Sequence, residues 1–132
     1  MPGIDASAVI AMLLRLDQGD LIMDRVFTGS ETLHAPHLVD VEVSQVVRRY
    51  WRAGDITAAQ GDEAIRDLAD LPIERHSHEP LLKRIWQLRH NATAHDAAYV
   101  ALAEGLDAVL VTLDKGLAGI PGVRISVEVF QG

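Results

Sequence analysis

A chain of 132 residues with 48% hydrophobic side chains and a formal net charge of −7 can bury roughly two-thirds of its unfolded surface and is too apolar to stay disordered. The acidic balance, with a pI near 5.2, excludes a non-specific nucleic-acid coater, which needs a strongly basic surface. The absence of cysteine excludes disulfides and thiolate metal sites and suits a reducing cytoplasm.

Residues 3–5 read as a short first strand, and residues 6–16 as an apolar helix with Ser7 and Asp5 near its start. The apolar run Ala8 to Leu14 is too short to span a membrane, and Asp5 stands where a signal peptide carries positive charge, so no membrane or targeting segment is expected. Residues 19–27 form a further helix or a continuation of the first. Residues 31–35 look like a strand, and Pro36 suits the first turn of the next helix.

That helix, residues 38–53, carries Val43, Val46, Val47 and Tyr50 at spacings of three and four and ends at Gly54. Residues 56–69 form another helix, broken by Pro72, and residues 73–75 a small strand. An amphipathic helix follows over residues 79–90, with Leu82, Ile85 and Trp86 along it. Thr93 then has the character of a helix N-cap with Asp96 three residues on. Gly105 stops this helix, and residues 108–111 are a continuous apolar run, as a strand covered on both faces requires. Thr112-Leu113-Asp114, a helical turn over residues 115–118, a Pro121-Gly122 turn and a last strand over residues 124–130 complete one domain, residues 1–132. Strands alternating with helices imply an α/β fold with a parallel sheet and right-handed crossovers.

The chemistry lies in the acids. Asp5, Asp96 and Asp114 each fall at a strand end or helix start, and each has a structural explanation as a capping residue. Glu42, inside a helix beside Gln45 and Arg49, and its competitor Asp40 read individually as solvated or dipole-favouring carboxylates. Jointly Asp5, Asp96 and Asp114 say more, because a parallel sheet gathers such positions on the edge where ligands bind. Two carboxylates ~6 Å apart at an effective dielectric of ~20 repel by roughly 3 kcal/mol. A chain that collects several needs a cation for them, and hard oxygen donors suit Mg²⁺. Arg48, Arg49 and Arg52 on one helix and Lys83, Arg84 and Arg89 further on can hold phosphates or pair with nearby acids; Arg49 and Arg89 are the candidates for phosphate. His76-Ser77-His78-Glu79 has poor local spacing for zinc and reads as a polar turn.

Four motifs, Ile4-Asp5-Ala6-Ser7-Ala8, Val41-Glu42-Val43, the run from Ala94 through Asp96 to Ala103, and Val111-Thr112-Leu113-Asp114, resemble in order and spacing the PIN-domain ribonucleases, specifically VapC-type toxins of toxin–antitoxin pairs. The resemblance implies a PIN-like three-layer sandwich, with a central parallel sheet of about five strands. It also implies that Asp5, Glu42, Asp96 and Asp114 hold Mg²⁺ or Mn²⁺, that Ser7 and Thr112 support them, and that RNA phosphodiesters are hydrolysed to a 5′-phosphate and a 3′-hydroxyl. A homodimer inhibited by a VapB-like antitoxin, whose arginine enters the acidic site, is the expected assembly. Gln45 and His95 depart from the family pattern of asparagine and an aromatic residue at those points, which touches the surroundings of the ligands and not the ligands themselves. The alternatives are a receiver-like phosphoacceptor, disfavoured because no acidic pair follows the first strand, and a non-catalytic module whose acidic pocket grips an arginine.

Overall fold

Five short parallel strands lie in the order β3-β2-β1-β4-β5 in the computed structural model, which describes residues 2–28 and 32–131. β1 is Gly3–Ile4, β2 Leu33–Pro36, β3 Ile73–His76, β4 Leu110–Thr112 and β5 Val127–Val129. The chain steps outward from β1 through β2 to β3, then returns to place β4 on the other side of β1. The direction of winding therefore reverses between β1 and β4. In open α/β sheets a crevice forms at the carboxyl ends of the strands that flank such a reversal.

Helices cover both faces. α1 (Ala6–Leu13) packs against α2 (Gly19–Phe27), α3 (Leu38–Arg52) and α4 (Ala58–Asp70) on one side. On the other, α6 (Ala94–Leu106) lies on β1, β2 and β4 with α5 (Leu82–Gln87) beside it. Ile4, Leu33, Ala35, Leu110 and Val111 are fully or almost fully buried in the sheet between these layers. α6 is buried over the unbroken run Ala97 to Ala103. Its alanines let the helix lie close to the sheet, where a Cβ on Gly3 would already touch Ala103 Cβ at 3.7 Å.

Several boundaries differ from the sequence-based expectation, each for a local reason. Arg15, at φ 54°, turns the chain sharply and makes α1 and α2 separate helices. Pro36 is the last residue of β2 and does not begin a helix; β1 pairs with β2 only at Gly3 and His34, so the missing N–H lies past the end of that ladder. The first residue of the strand expected over residues 31–35 lies outside the described residues. The helix expected over residues 79–90 divides into a 3₁₀ turn, Glu79–Leu81, and the short α5. Gly105 does not stop α6: the helix runs through it, and Asp107 caps the end in the left-handed conformation, φ 51° and ψ 46°. Asp tolerates that region better than most side chains.

Two glycines in helices have opposite surroundings. A Cβ on Gly19 would meet the Ala11 carbonyl oxygen at 2.3 Å, a backbone atom that cannot yield without moving α1. A Cβ on Gly105 would meet nothing within 4 Å. Urea unfolding should therefore show Gly19→Ala destabilised by about 1–3 kcal/mol, and Gly105→Ala stabilised by about 0.5–1 kcal/mol. Equal effects at the two sites would contradict this packing.

Candidate active site

The carboxyl ends of β1 and β4 are joined by a small network of side-chain hydrogen bonds. Asp5 follows β1 and is 6% exposed. Its Oδ1 accepts the Ser7 hydroxyl at 2.7 Å and the Ala8 backbone N–H at 3.1 Å, and its Oδ2 accepts the Thr112 hydroxyl at 2.6 Å. The oxygen of Thr112, wholly buried at the end of β4, accepts in turn from the Asp114 backbone N–H at 2.9 Å. Ser7 likewise accepts the Leu113 N–H at 3.0 Å. Both strand ends are thereby held in fixed register, and both Asp5 oxygens are aimed by donors.

Capping and clustering coexist here. Asp5 caps α1 through Ala8, Asp114 caps the 3₁₀ turn Lys115–Gly119 through Gly116 at 2.8 Å, and Thr93 caps α6 by accepting the Asp96 N–H at 3.1 Å. Each cap fixes a carboxylate at the mouth of the crevice. Burial, with the charge of Asp114 adding to it, pushes the Asp5 carboxyl above its ordinary range against the pull of its three hydrogen bonds. Asp96 is raised by burial and next by Asp114, against Thr93 and His95. Glu42 is tied in by Tyr99, whose buried hydroxyl donates to Glu42 Oε1. Burial, followed by that bond to Glu42, drives the Tyr99 hydroxyl far above the usual phenol range, so it remains a donor.

The other partly buried acids have cationic partners. Asp40 receives both Arg75 Nε and Nη2, which separates it from Glu42 as a structural ion pair. Glu104 takes a two-point grip from Arg84 at 2.7 and 3.0 Å, which holds its carboxyl below the usual range. Glu128 takes another from Arg25 at 2.7 and 2.9 Å. Among the described residues, none of Asp5, Glu42, Asp96 and Asp114 forms such an ion pair. Nor do any three of them bring ligand atoms within 4.8 Å of one another. Mg²⁺ keeps several waters and is usually held by only one or two carboxylates directly, so it does not require three of them in close contact.

A cleft of about 580 Å³ opens beside these acids, lined in part by Ser7, Glu42, Arg49, Tyr50, His95 and Leu113. Arg49 thus shares a surface with Glu42. Arg89 is elsewhere, its guanidinium 4.6 Å from the Trp86 ring centroid, and Arg84 is occupied by Glu104. Tyr99 is the residue that reasoning from the chain passed over as a contributor to the site. Its position three residues after Asp96 places both on one face of α6, which was the available signal.

The PIN domain family model matches residues 4–123. A VapC ribonuclease of Mycobacterium bovis is 41% identical over 115 residues, 87% of this chain and 87% of that protein. Ribonuclease VapC1 of Mycobacterium tuberculosis is 37% identical over 129 residues, 97% of this chain and 96% of its own. In fold, the chain is similar to a chain in the crystal structure of VapBC2 from Rickettsia felis bound to a DNA fragment from their promoter, with a TM-score of 0.72 at 13% identity and 98% of both chains covered. A match of this extent, with relatives of this identity along most of their length, makes the chain a member of the PIN domain family, among the VapC ribonucleases.

Proposed function

We propose that this chain is a metal-dependent endoribonuclease, the toxin of a toxin–antitoxin pair, and that Asp5, Glu42, Asp96 and Asp114 hold Mg²⁺ or Mn²⁺. The observation that carries this reading is the contrast in charge compensation. Asp40, Glu104 and Glu128 are each matched by an arginine, whereas the four acids at the sheet's carboxyl edge have no ion pair among the described residues. Asp5 and Asp96 are moreover raised in pKa, in part by the charge of Asp114. A bound divalent cation offsets that repulsion, supplies hydroxide at neutral pH and stabilises charge at phosphorus.

The protein's own contribution is positioning. Ser7, Thr112 and the Ala8 N–H orient Asp5 in advance, and Tyr99 holds Glu42 toward the same crevice. Arg49, exposed on the cleft wall, is placed to take a phosphate of the RNA strand next to the scissile one. The relatives named VapC ribonucleases support RNA as the substrate. The likeness to a chain of the VapBC2 structure supports a VapB-like antitoxin as partner. A groove of mixed character, lined by Met12, Met23, Phe27, Ile56 and Leu71 with Glu63, Asp67 and Asp70 along it, gives such a partner a surface, and the acidic crevice takes a basic side chain from it. The active unit is proposed to be a homodimer. Among the described residues no helix is long and apolar enough to cross a membrane.

The partner-free chain should cut RNA with Mg²⁺ or Mn²⁺, lose that activity in EDTA and regain it when Mg²⁺ is restored. Undiminished cleavage in EDTA would contradict the metal mechanism. Tyr99→Phe removes only the hydroxyl that positions Glu42, at a stability cost of about 1 kcal/mol. Metal affinity read by calorimetry, and cleavage with it, should fall by about 10–100-fold. Parental metal affinity in Tyr99→Phe would remove Glu42 positioning from the account.

A further inference from the structure

A second cluster of ligand-type side chains lies away from the acids, on the β2–β3 half of the sheet. His34 and Glu74 are register partners on neighbouring strands, and His76 follows Glu74 by two residues on the same strand. Residues paired in this way, or two apart, point to the same face. His34 is also in register with Gly3, whose missing Cβ would point at Ala103 of α6, so this is the α6 face. His34 Nδ1 lies 2.9 Å from His76 Nε2 and 3.7 Å from Glu74 Oε2. One ligand atom from each of the three residues falls within 4.8 Å of the other two, the one such His/Asp/Glu group among the described residues.

These separations fit a tetrahedral ion. With Zn–N and Zn–O bonds of about 2.0–2.1 Å, ligand atoms on a tetrahedron stand roughly 3.3 Å apart. The two separations from His34 Nδ1, 2.9 and 3.7 Å, bracket that value. The donor set, two imidazoles and a carboxylate, is chemically unlike the all-carboxylate crevice: nitrogen donors favour zinc and its neighbours over Mg²⁺. His34 is almost wholly buried, His76 partly so, and the Glu74 side chain is 60% exposed. The nitrogens are thus fixed by the fold while the carboxylate borders solvent, which leaves a route of entry. His78 takes no part; its Nε2 accepts the Leu38 N–H at the start of α3.

We propose that His34, Glu74 and His76 bind one zinc-class divalent ion, with water in the fourth position, clipping the edge strand β3 to β2. The ring nitrogens that now share a hydrogen bond both turn lone pairs to the ion, the donating ring moving its proton to its other nitrogen. The N–H bond lost at one ring nitrogen is regained at the other, and nothing is oxidised or reduced.

The test uses the full chain, stripped of metal and then held in saturating Mg²⁺ so that the acidic crevice is filled. Zn²⁺ titrated by calorimetry should bind one ion per chain. At about 100 times the dissociation constant it should raise the melting temperature by roughly 5–10 °C. Glu74→Gln and His76→Gln, both at positions with solvent contact, should weaken Zn²⁺ binding at least 10-fold while melting normally in EDTA. Asp96→Asn should bind Zn²⁺ as the parent does, whether or not RNA cleavage depends on Asp96. No Zn²⁺ binding, equal binding in Glu74→Gln and His76→Gln, or loss of binding in Asp96→Asn would each overturn the proposal.

Discussion

The hydroxyl of Thr112 joins the two strands between which the winding of the sheet reverses. It donates to Asp5 at the end of β1 and accepts from the backbone of Asp114 just beyond β4. Removing that single oxygen would leave a buried carboxylate without one of its three donors. It would also free the turn that presents Asp114. An unsatisfied buried polar group costs about 1–3 kcal/mol, more when it is charged, so the crevice and the local fold depend on the same atom. Ser7 doubles the tie by linking Asp5 to the Leu113 N–H.

Around that tie, helix caps serve two ends. Asp5, Thr93 and Asp114 satisfy N–H groups that helix and turn starts leave unpaired, and in doing so they set the positions of three carboxylates. A residue in this fold can cap a helix or turn and stand at the crevice at once. Asn can cap as well as Asp, so the caps alone do not require Asp5 and Asp114 to be acidic. What distinguishes the site is the arithmetic of charge. Of the acids that are at least partly buried, Asp40, Glu104 and Glu128 receive an arginine, and among the described residues Asp5, Glu42 and Asp96 do not.

Much of this was legible in the chain. The alternation of helical and strand periods announced the parallel sheet, and the strong spacing of Val43 and Val47 located α3. The acids at strand ends located the crevice, because their offsets depend on local chemistry. What remained hidden was set by contacts distant in sequence. Individually Asp40 and Glu42 read alike, and only the Val41-Glu42-Val43 motif favoured Glu42; what the chain did not show is that Arg75, 35 residues beyond Asp40, pairs with Asp40. Tyr99 looks like core until Glu42, 57 residues away, accepts its hydroxyl. The same holds for His76, whose neighbours in sequence suggest a polar turn and whose partner, His34, comes from another strand. Helix ends failed for a different reason: Gly105 has the chemistry of a stop signal, but Asp107 can also adopt the left-handed conformation, and the packing of Leu106 against the small cluster of Leu81, Ala101 and Leu102 favours the later end.

The central claim is that the fold assembles uncompensated carboxylates for a cation, and the melting temperature of Asp114→Asn with and without Mg²⁺ tests it most directly. Mg²⁺ at about 100 times its dissociation constant should stabilise the parent by roughly 2.7 kcal/mol. Asp114→Asn keeps the cap on Gly116, so its metal-free form should melt at or above the parental temperature, one repelling charge having gone. Its Mg²⁺-induced shift should be clearly smaller. A variant that retains the full shift would show that Asp114 is a cap alone and that the carboxylates are not gathered for a metal.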